Sequence, residues 1–208
     1  MPPVNFRLFL VTDRHQTGGR SLLSVLRDAI HAGAPAIQLR ERDLMTGDLL
    51  SLARDIQMIA ASRSVPVLVN DRVDLVMALN LAGVHLRANS LPVALARRLL
   101  GPTRLVGVST HSVDEVRRAN EEGADYVLFG PVFDTPSKRS FGAPLGLEAL
   151  AEACRQSIIP VFAIGGVTGA RVCDVRRAGA YGVAVIGAVL TRGDAAAAIG
   201  ELLDALMR

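Results

Sequence analysis

Two hydrophobic periods alternate along this chain. The short runs FRLFLVTD, APAIQLRE, VPVLVND, GVHL, RLVGVST, ADYVLFG, PVFAIGG and YGVAVIG are rich in β-branched residues. Between them, apolar residues recur three and four apart, the spacing of one helix face. The pattern therefore predicts eight strands separated by helices. Near-repeats in HAGAPAIQL, NLAGVHL, EEGADYVLF and RAGAYGVAV each place a Gly where a helix is expected to stop and a strand to begin. Helix starts are marked as well: Ser112 and Glu115 have the spacing of a capping box, and Thr168 stands where its hydroxyl can cap a helix. Strands apolar along their whole length, such as VAVI and VFAI, need cover on both faces, the condition of a parallel sheet with helices outside. Eight strand–helix units predict a parallel eight-stranded (β/α)₈ TIM barrel, one domain over residues 1–208. The alternative is an open doubly wound sheet, for which no G-x-G-x-x-G follows the first strand.

Composition narrows the class. With 50% hydrophobic and 21% charged residues, 208 residues suit one α/β domain. Cys154 and Cys173 both fall in helix-like patterns and form no C-x-x-C spacing, so they are expected to be reduced, in a cytoplasmic protein. The start MPPVNFRLFLVTDRH has no cationic region ahead of a long apolar stretch, and no segment has the apolar length of a membrane span, so no membrane partner is expected. The net charge is only +3, and the pairs Arg97-Arg98, Arg117-Arg118 and Arg176-Arg177 each punctuate a separate helical pattern, where solvated faces account for them. Trp is absent and aromatics are 4%, which leaves no basic surface interleaved with stacking residues and excludes nucleic acid as the expected partner.

The candidate chemistry sits where strands end. In a (β/α)₈ barrel the site is built at the C-terminal ends of the strands. Here those ends carry Gln38, Arg40, Glu41 and Arg42 after strand two, Asn70 and Asp71 after strand three, and Ser109, Thr110 and His111 after strand five. Strand six opens into GPVFDTPSKRSFGAPLG, residues 130 to 146, which holds Thr135, Ser137, Lys138 and Arg139. Connections this long are uncommon in small domains and are usually lids, binding loops or disordered segments.

Two anion sites are expected. Gly165 and Gly166 after strand seven, with Gly187 after strand eight, would let backbone N–H groups approach a phosphate, although tight turns alone would also account for these glycines. Across the mouth, Arg40, Arg42 and Lys138 with Asn70, Thr135 and Ser137 supply cationic and hydroxyl donors, and Asp71 could hold a Mg²⁺ on a pyrophosphate or simply cap the third helix. His111, just beyond a strand end, is a candidate acid or base.

The ordered set VTD, QLRER, VNDRVDL, GVHL, VGVSTHS, GADYVLFGPVFDTPSK, PVFAIGG and GVAVIGAV resembles the thiamine-phosphate synthase superfamily, which also contains the thiazole tautomerases. The resemblance implies a (β/α)₈ fold and a synthase that joins a pyrimidine pyrophosphate to a thiazole phosphate through a carbocation, releasing pyrophosphate. It implies that Gln38, Arg40, Asn70, Thr135, Ser137 and Lys138 hold the pyrimidine and its pyrophosphate, that Asp71 ligates Mg²⁺, and that Gly165, Gly166 and Gly187 hold the thiazole phosphate. The long loop would then be a cover over the pyrophosphate.

Two positions depart from that pattern. Arg42 stands where synthases usually have Lys, and Ser90 in RANS stands where they have a second acidic metal ligand; a neutral hydroxyl is a poorer partner for a hard cation. Both departures look like the tautomerase branch, in which the residue matching His111 moves the proton and no metal is required. The retained Gln38, Asn70, Asp71 and TPSK favour the synthase, with the tautomerase and a non-catalytic phosphate-binding protein as alternatives. Exposed helix faces leave room for a homodimer, and no heptad or other interface pattern specifies one.

Overall fold

A computed structural model describes residues 4–136, 139 and 142–208. The strands are β1 (Leu8–Val11), β2 (Ile37–Leu39), β3 (Val67–Asn70), β4 (Gly83–Leu86), β5 (Leu105–Thr110), β6 (Tyr126–Phe129), β7 (Val161–Ile164) and β8 (Gly182–Val185). All pair in parallel, each with its neighbour in sequence, and β8 closes on β1. The helices are α1 (Leu22–His31), α2 (Thr46–Ala61), α3 (Val73–Leu79), α4 (Val93–Leu100), α5 (Val113–Glu121), α6 (Gly146–Gln156), α7 (Val172–Arg177), α8 (Gly187–Leu190) and α9 (Ala195–Met207). The (β/α)₈ barrel expected from periodicity is the fold observed. Among the described residues no helix is long and apolar enough to cross a membrane.

Strand alternation divides the core in two. Leu8, Leu10, Ile37, Leu39, Val84 and Val106 pack outward under the helices, while Phe9, Val11, Leu68, Tyr126, Leu128 and Phe162 fill the barrel with Phe6. The interior aromatics meet edge to face: Tyr126 lies 5.7 Å from Phe9 and 5.7 Å from Phe162, at interplanar angles of 79° and 75°. Tyr126 has room because Gly107 stands opposite; a Cβ there would come within 2.1 Å of the ring. This parity also fixes the site, since Gln38, Asn70, His85 and Ser109 follow inward-facing positions toward the open end.

Local signals held with corrections. Gly33, Gly123 and Gly179 take positive φ where helices end, but in NLAGVHL the left-handed residue is Asn80, at φ 56°. Gly83 instead begins β4, where a Cβ would strike the Leu105 carbonyl at 2.1 Å. Ser112 accepts from the Glu115 amide as a cap, whereas the Glu115 carboxylate reaches the His111 amide at 2.6 Å rather than closing the box on Ser112. Thr168 precedes a 3₁₀ turn and makes no side-chain cap. Nor are the Arg pairs all solvated: Arg97 pairs with Asp125, whose side chain is 1% exposed and also accepts from the Val106 amide. Cys154 and Cys173 are half-buried and unpaired, and burial pushes the Cys154 thiol up to about 11, too high for appreciable thiolate.

Candidate active site

The ends of β2, β3 and β4 form a side-chain network. Gln38 Nε2 donates to Asn70 Oδ1 at 3.2 Å, and Asn70 Nδ2 donates to Asp71 Oδ2 at 2.9 Å. Gln38 is 1% exposed and its Oε1 has no partner among the described residues. Asp71 sits at φ 60°, a left-handed conformation that a non-glycine residue adopts at a cost of about 1 to 3 kcal/mol. Its backbone N–H is tied to the His85 carbonyl at 2.9 Å. The carboxylate turns away from α3, which rules out the helix-cap alternative, and reaches the loop after β4 instead. There Oδ1 accepts from the Arg87 amide at 3.0 Å and Oδ2 accepts from the Arg87 guanidinium. Burial alone would raise the pKa of Asp71, but the Arg87 amide, the Ser90 hydroxyl and the Arg87 guanidinium together hold it below its ordinary value. A cavity of about 200 Å³ opens here, lined by Arg42, Asn70, Asp71, Arg72 and Arg87 among others.

Arg40 stands half-buried beside this network, its backbone N–H donating to Thr12 Oγ1 at 2.9 Å. Among the described residues its guanidinium has no carboxylate partner within salt-bridge reach. Its pKa is lowered first by burial, then by the charge of Arg42; Asp13 and Glu41 offset part of this, and Arg87 adds to the lowering. A desolvated cation beside like charges is stabilised by any anion that binds between them. The nearby carboxylates Asp13 and Glu41 fill that role only in part, through charge at a distance. Glu41, 5% exposed, accepts from the Arg14 amide and guanidinium at 3.1 Å, and Asp43 forms a two-point pair with Arg14 at 2.6 and 2.7 Å.

A divalent metal does not fit this donor set. Both Asp71 oxygens accept from Arg87 and Oδ2 accepts also from Asn70, and position 90 contributes a hydroxyl in place of a second carboxylate. Glu41 and Asp43 are locked on Arg14, and among the described residues no group of three His, Cys, Asp or Glu could surround an ion.

The opposite rim is made of backbone. Gly130, joined to Pro131 by a cis peptide bond, leads into the long connection. Val132 and Phe133 donate their amides to the Ile164 and Gly165 carbonyls at 2.9 and 3.0 Å, while Leu145 and Gly146 donate back to Pro131 and Val132 at 2.8 and 3.1 Å. The connection thus has its two ends tied together over β7. Gly165 and Gly166 have φ of 93° and 65°, and a Cβ on either would lie 2.5 or 2.6 Å from loop atoms. Tight packing therefore requires both glycines whatever else they do. Gly187 begins the short α8, where a Cβ would stand 3.1 Å from Gln16 Oε1. Thr135 is half-buried in the loop; Ser137 and Lys138 lie outside the described residues.

Between the two rims stand His111, Ser109 and His85. His111 Nδ1 contacts the Gly130 carbonyl; because a carbonyl can only accept, this nitrogen carries the proton and Nε2 keeps its lone pair in the neutral ring. His85, which the reading of strand ends passed over, joins Ser109 Oγ at 2.9 Å through Nε2 and the Tyr126 hydroxyl at 3.2 Å through Nδ1. Burial holds His85 down to about 3, so it is neutral near pH 7. The available signal was alternation: in GVHL the polar residue takes the inward parity of the strand.

Fold and rim together define a (β/α)₈ barrel whose strand ends gather guanidinium groups suited to an anionic substrate, Arg40 among them without a salt-bridge partner among the described residues. Residues 8–189 match the family model described as "Thiamine monophosphate synthase", and the chain belongs to that family. It is 45% identical over 194 residues to a "Putative thiamine-phosphate synthase" of Geobacter sulfurreducens, covering 93% of this chain and 91% of the relative. It is 42% identical to the "Thiamine-phosphate synthase" of Roseiflexus castenholzii, covering 95% and 86% respectively. Among solved structures, a thiamine phosphate pyrophosphorylase from Pyrococcus furiosus superposes with a TM-score of 0.88 at 30% identity, covering 97% of this chain and 95% of that one.

Proposed function

We propose that this protein is a thiamine-phosphate synthase, a transferase that joins a hydroxymethylpyrimidine pyrophosphate to a thiazole phosphate. The observation that carries the reading is the half-buried Arg40 guanidinium, lowered in pKa by burial and by Arg42 and left without a carboxylate partner among the described residues. A pyrophosphate placed against Arg40 and Arg42 would relieve that repulsion, and Lys138, Ser137 and Thr135 would reach it from the loop.

In this reading the carbon–oxygen bond to pyrophosphate breaks with both electrons leaving on oxygen, and the arginines stabilise the charge that develops there. The thiazole nitrogen lone pair then forms the carbon–nitrogen bond, so no proton need be lost at the joining step. Gln38 and Asn70 orient the pyrimidine; the unpartnered Gln38 Oε1 supports this, because a donor on the ring would satisfy it. Ser109 borders the same space, held by neutral His85. Gly165, Gly166 and Gly187 receive the thiazole phosphate through backbone N–H groups. Asp71 was the expected Mg²⁺ ligand, but its oxygens are engaged by Arg87, and no step here runs through a metal.

A second reading rests on His111. Its Nε2 keeps a lone pair, the feature that a thiazole tautomerase needs to move a proton. The test supplies the protein with both phosphorylated substrates and follows thiamine phosphate and pyrophosphate. Equal amounts of the two products are expected; no product from folded protein would overturn the synthase reading, and isomerisation of a thiazole carboxylate phosphate would replace it. We further propose a cytoplasmic enzyme, with a homodimer to be tested by sedimentation.

A further inference from the structure

The residues at the pyrophosphate end disagree with a metal-dependent site in a specific way. The place beside Asp71 that a cation would occupy already holds one, the Arg87 guanidinium, fixed by two bonds: the Arg87 backbone N–H to Oδ1 at 3.0 Å and its side chain to Oδ2. The amide bond matters because it makes the approach of the loop to Asp71 independent of the side-chain charge. A carboxylate has about four lone-pair positions. Here Arg87 takes two and Asn70 takes one at 2.9 Å. An incoming divalent ion would have to displace Arg87 and would find one carboxylate and one hydroxyl, since Glu41 and Asp43 are committed to Arg14.

Arg87 is not spent by this pair. Its side chain is 47% exposed, against 15% for Asp71, so part of its donor fork faces the cavity that Arg42 and Arg72 also line. Its charge is felt at Arg40. Arg72 contributes less, because it is engaged by Asp74 at 2.8 Å and by Thr46 at 3.2 Å.

We propose that Arg87, anchored on Asp71, stands in place of a divalent metal ion, so that this chain binds the pyrophosphate group through Arg40, Arg42 and Arg87 with no metal requirement. The inference rests on the synthase reading in taking pyrophosphate as the group bound. Five guanidinium N–H donors suit phosphate oxygens directly, and a fixed guanidinium spares the site the dehydration that Mg²⁺ resists. Ser90 then favours the charged form of Asp71, where a carboxylate would repel it.

The test measures binding of inorganic pyrophosphate to the full chain by calorimetry, in EDTA and again in excess Mg²⁺. Wild type is expected to bind in both, with affinities within about threefold. Arg87→Ala should lose about tenfold or more in EDTA. That variant uncovers Asp71, so Mg²⁺ should restore its binding, and more fully in R87A/S90D, which supplies a second carboxylate. Arg87→Gln keeps a neutral donor to Asp71 and serves if R87A melts early; it should lose affinity in EDTA likewise. Binding by wild type only when Mg²⁺ is present would overturn the inference and leave the synthase reading standing. Unchanged affinity of both Arg87 variants in EDTA would also overturn it. No binding under either condition would remove the inference, and together with absent thiamine phosphate formation would remove the synthase reading as well.

Discussion

The two rims of the barrel mouth are built from different materials. At β2 to β4 the surface is side chain: Gln38, Asn70, Asp71 and Arg87 form one hydrogen-bonded run, with Arg40 and Arg42 beside it. At β6 to β8 it is backbone: Gly130, Gly165 and Gly166 bring main chain close to main chain, and Gly187 opens α8 beside the Gln16 side chain. A side-chain rim adjusts its charge and reach by single substitutions, as Arg42 and Ser90 show. A backbone rim admits few changes, because a Cβ at Gly130, Gly165 or Gly166 must displace a neighbouring segment. The first suits a leaving group whose charge grows during reaction; the second suits a phosphate that does not react.

Replacing Arg40 should break this contrast most sharply. Arg40→Ala is expected to lower kcat/KM for thiamine phosphate formation about 100- to 1000-fold, the usual cost of removing a donor from developing charge. Its melting temperature should hold, since the guanidinium has no carboxylate partner among the described residues. A rate within threefold of wild type would show that the charge on this rim does not serve the reaction. Gly166→Ala should reverse the signature: its new Cβ would lie 2.6 Å from the Asp134 carbonyl at a φ of 65°. We expect a loss of about 1 to 3 kcal/mol in stability with a raised KM for thiazole phosphate, and denaturant unfolding beside steady-state kinetics checks both. If Gly166→Ala folds and binds normally, the close packing assigned to the second rim is wrong.

His85, between the rims, gives a pH prediction. Its folded value of about 3 lies below its ordinary 6.5, so the unfolded chain takes up the proton first as pH falls. Its contribution is therefore fully present above about pH 6.5 and is lost as pH falls toward 3. Between pH 7 and pH 5 the loss should be about 2 kcal/mol, and His85→Gln should flatten that part of the stability profile. An unchanged slope would place the titration elsewhere. The smallest effect belongs to the cap beneath His111: Ser112→Ala should cost about 1 kcal/mol by urea unfolding, with kcat nearly intact.

Most of the fold was legible because alternation is local. Each strand carries its own apolar run, and Gly33, Gly123 and Gly179 mark helix ends within a few residues. Asn80 shows the limit, for the repeat around Gly83 looked like a stop signal when that glycine serves the approach of β5. The site was legible as residue types at strand ends, since barrel topology says where to look. Its pairings were not. Arg14 with Glu41, Arg87 with Asp71 and His85 with Tyr126 join residues 27, 16 and 41 positions apart, and only the closed register brings them together. Arg97 looked solvated for the same reason, since Asp125 meets it across a loop.

The most direct test of the central claim compares two reactions in one preparation of the protein: coupling of the pyrimidine pyrophosphate to thiazole phosphate, and isomerisation of a thiazole carboxylate phosphate. The account predicts coupling with the higher kcat/KM, strongly reduced in Arg40→Ala and less so in His111→Ala. Isomerisation without coupling, abolished in His111→Ala and indifferent to Arg40, would contradict it.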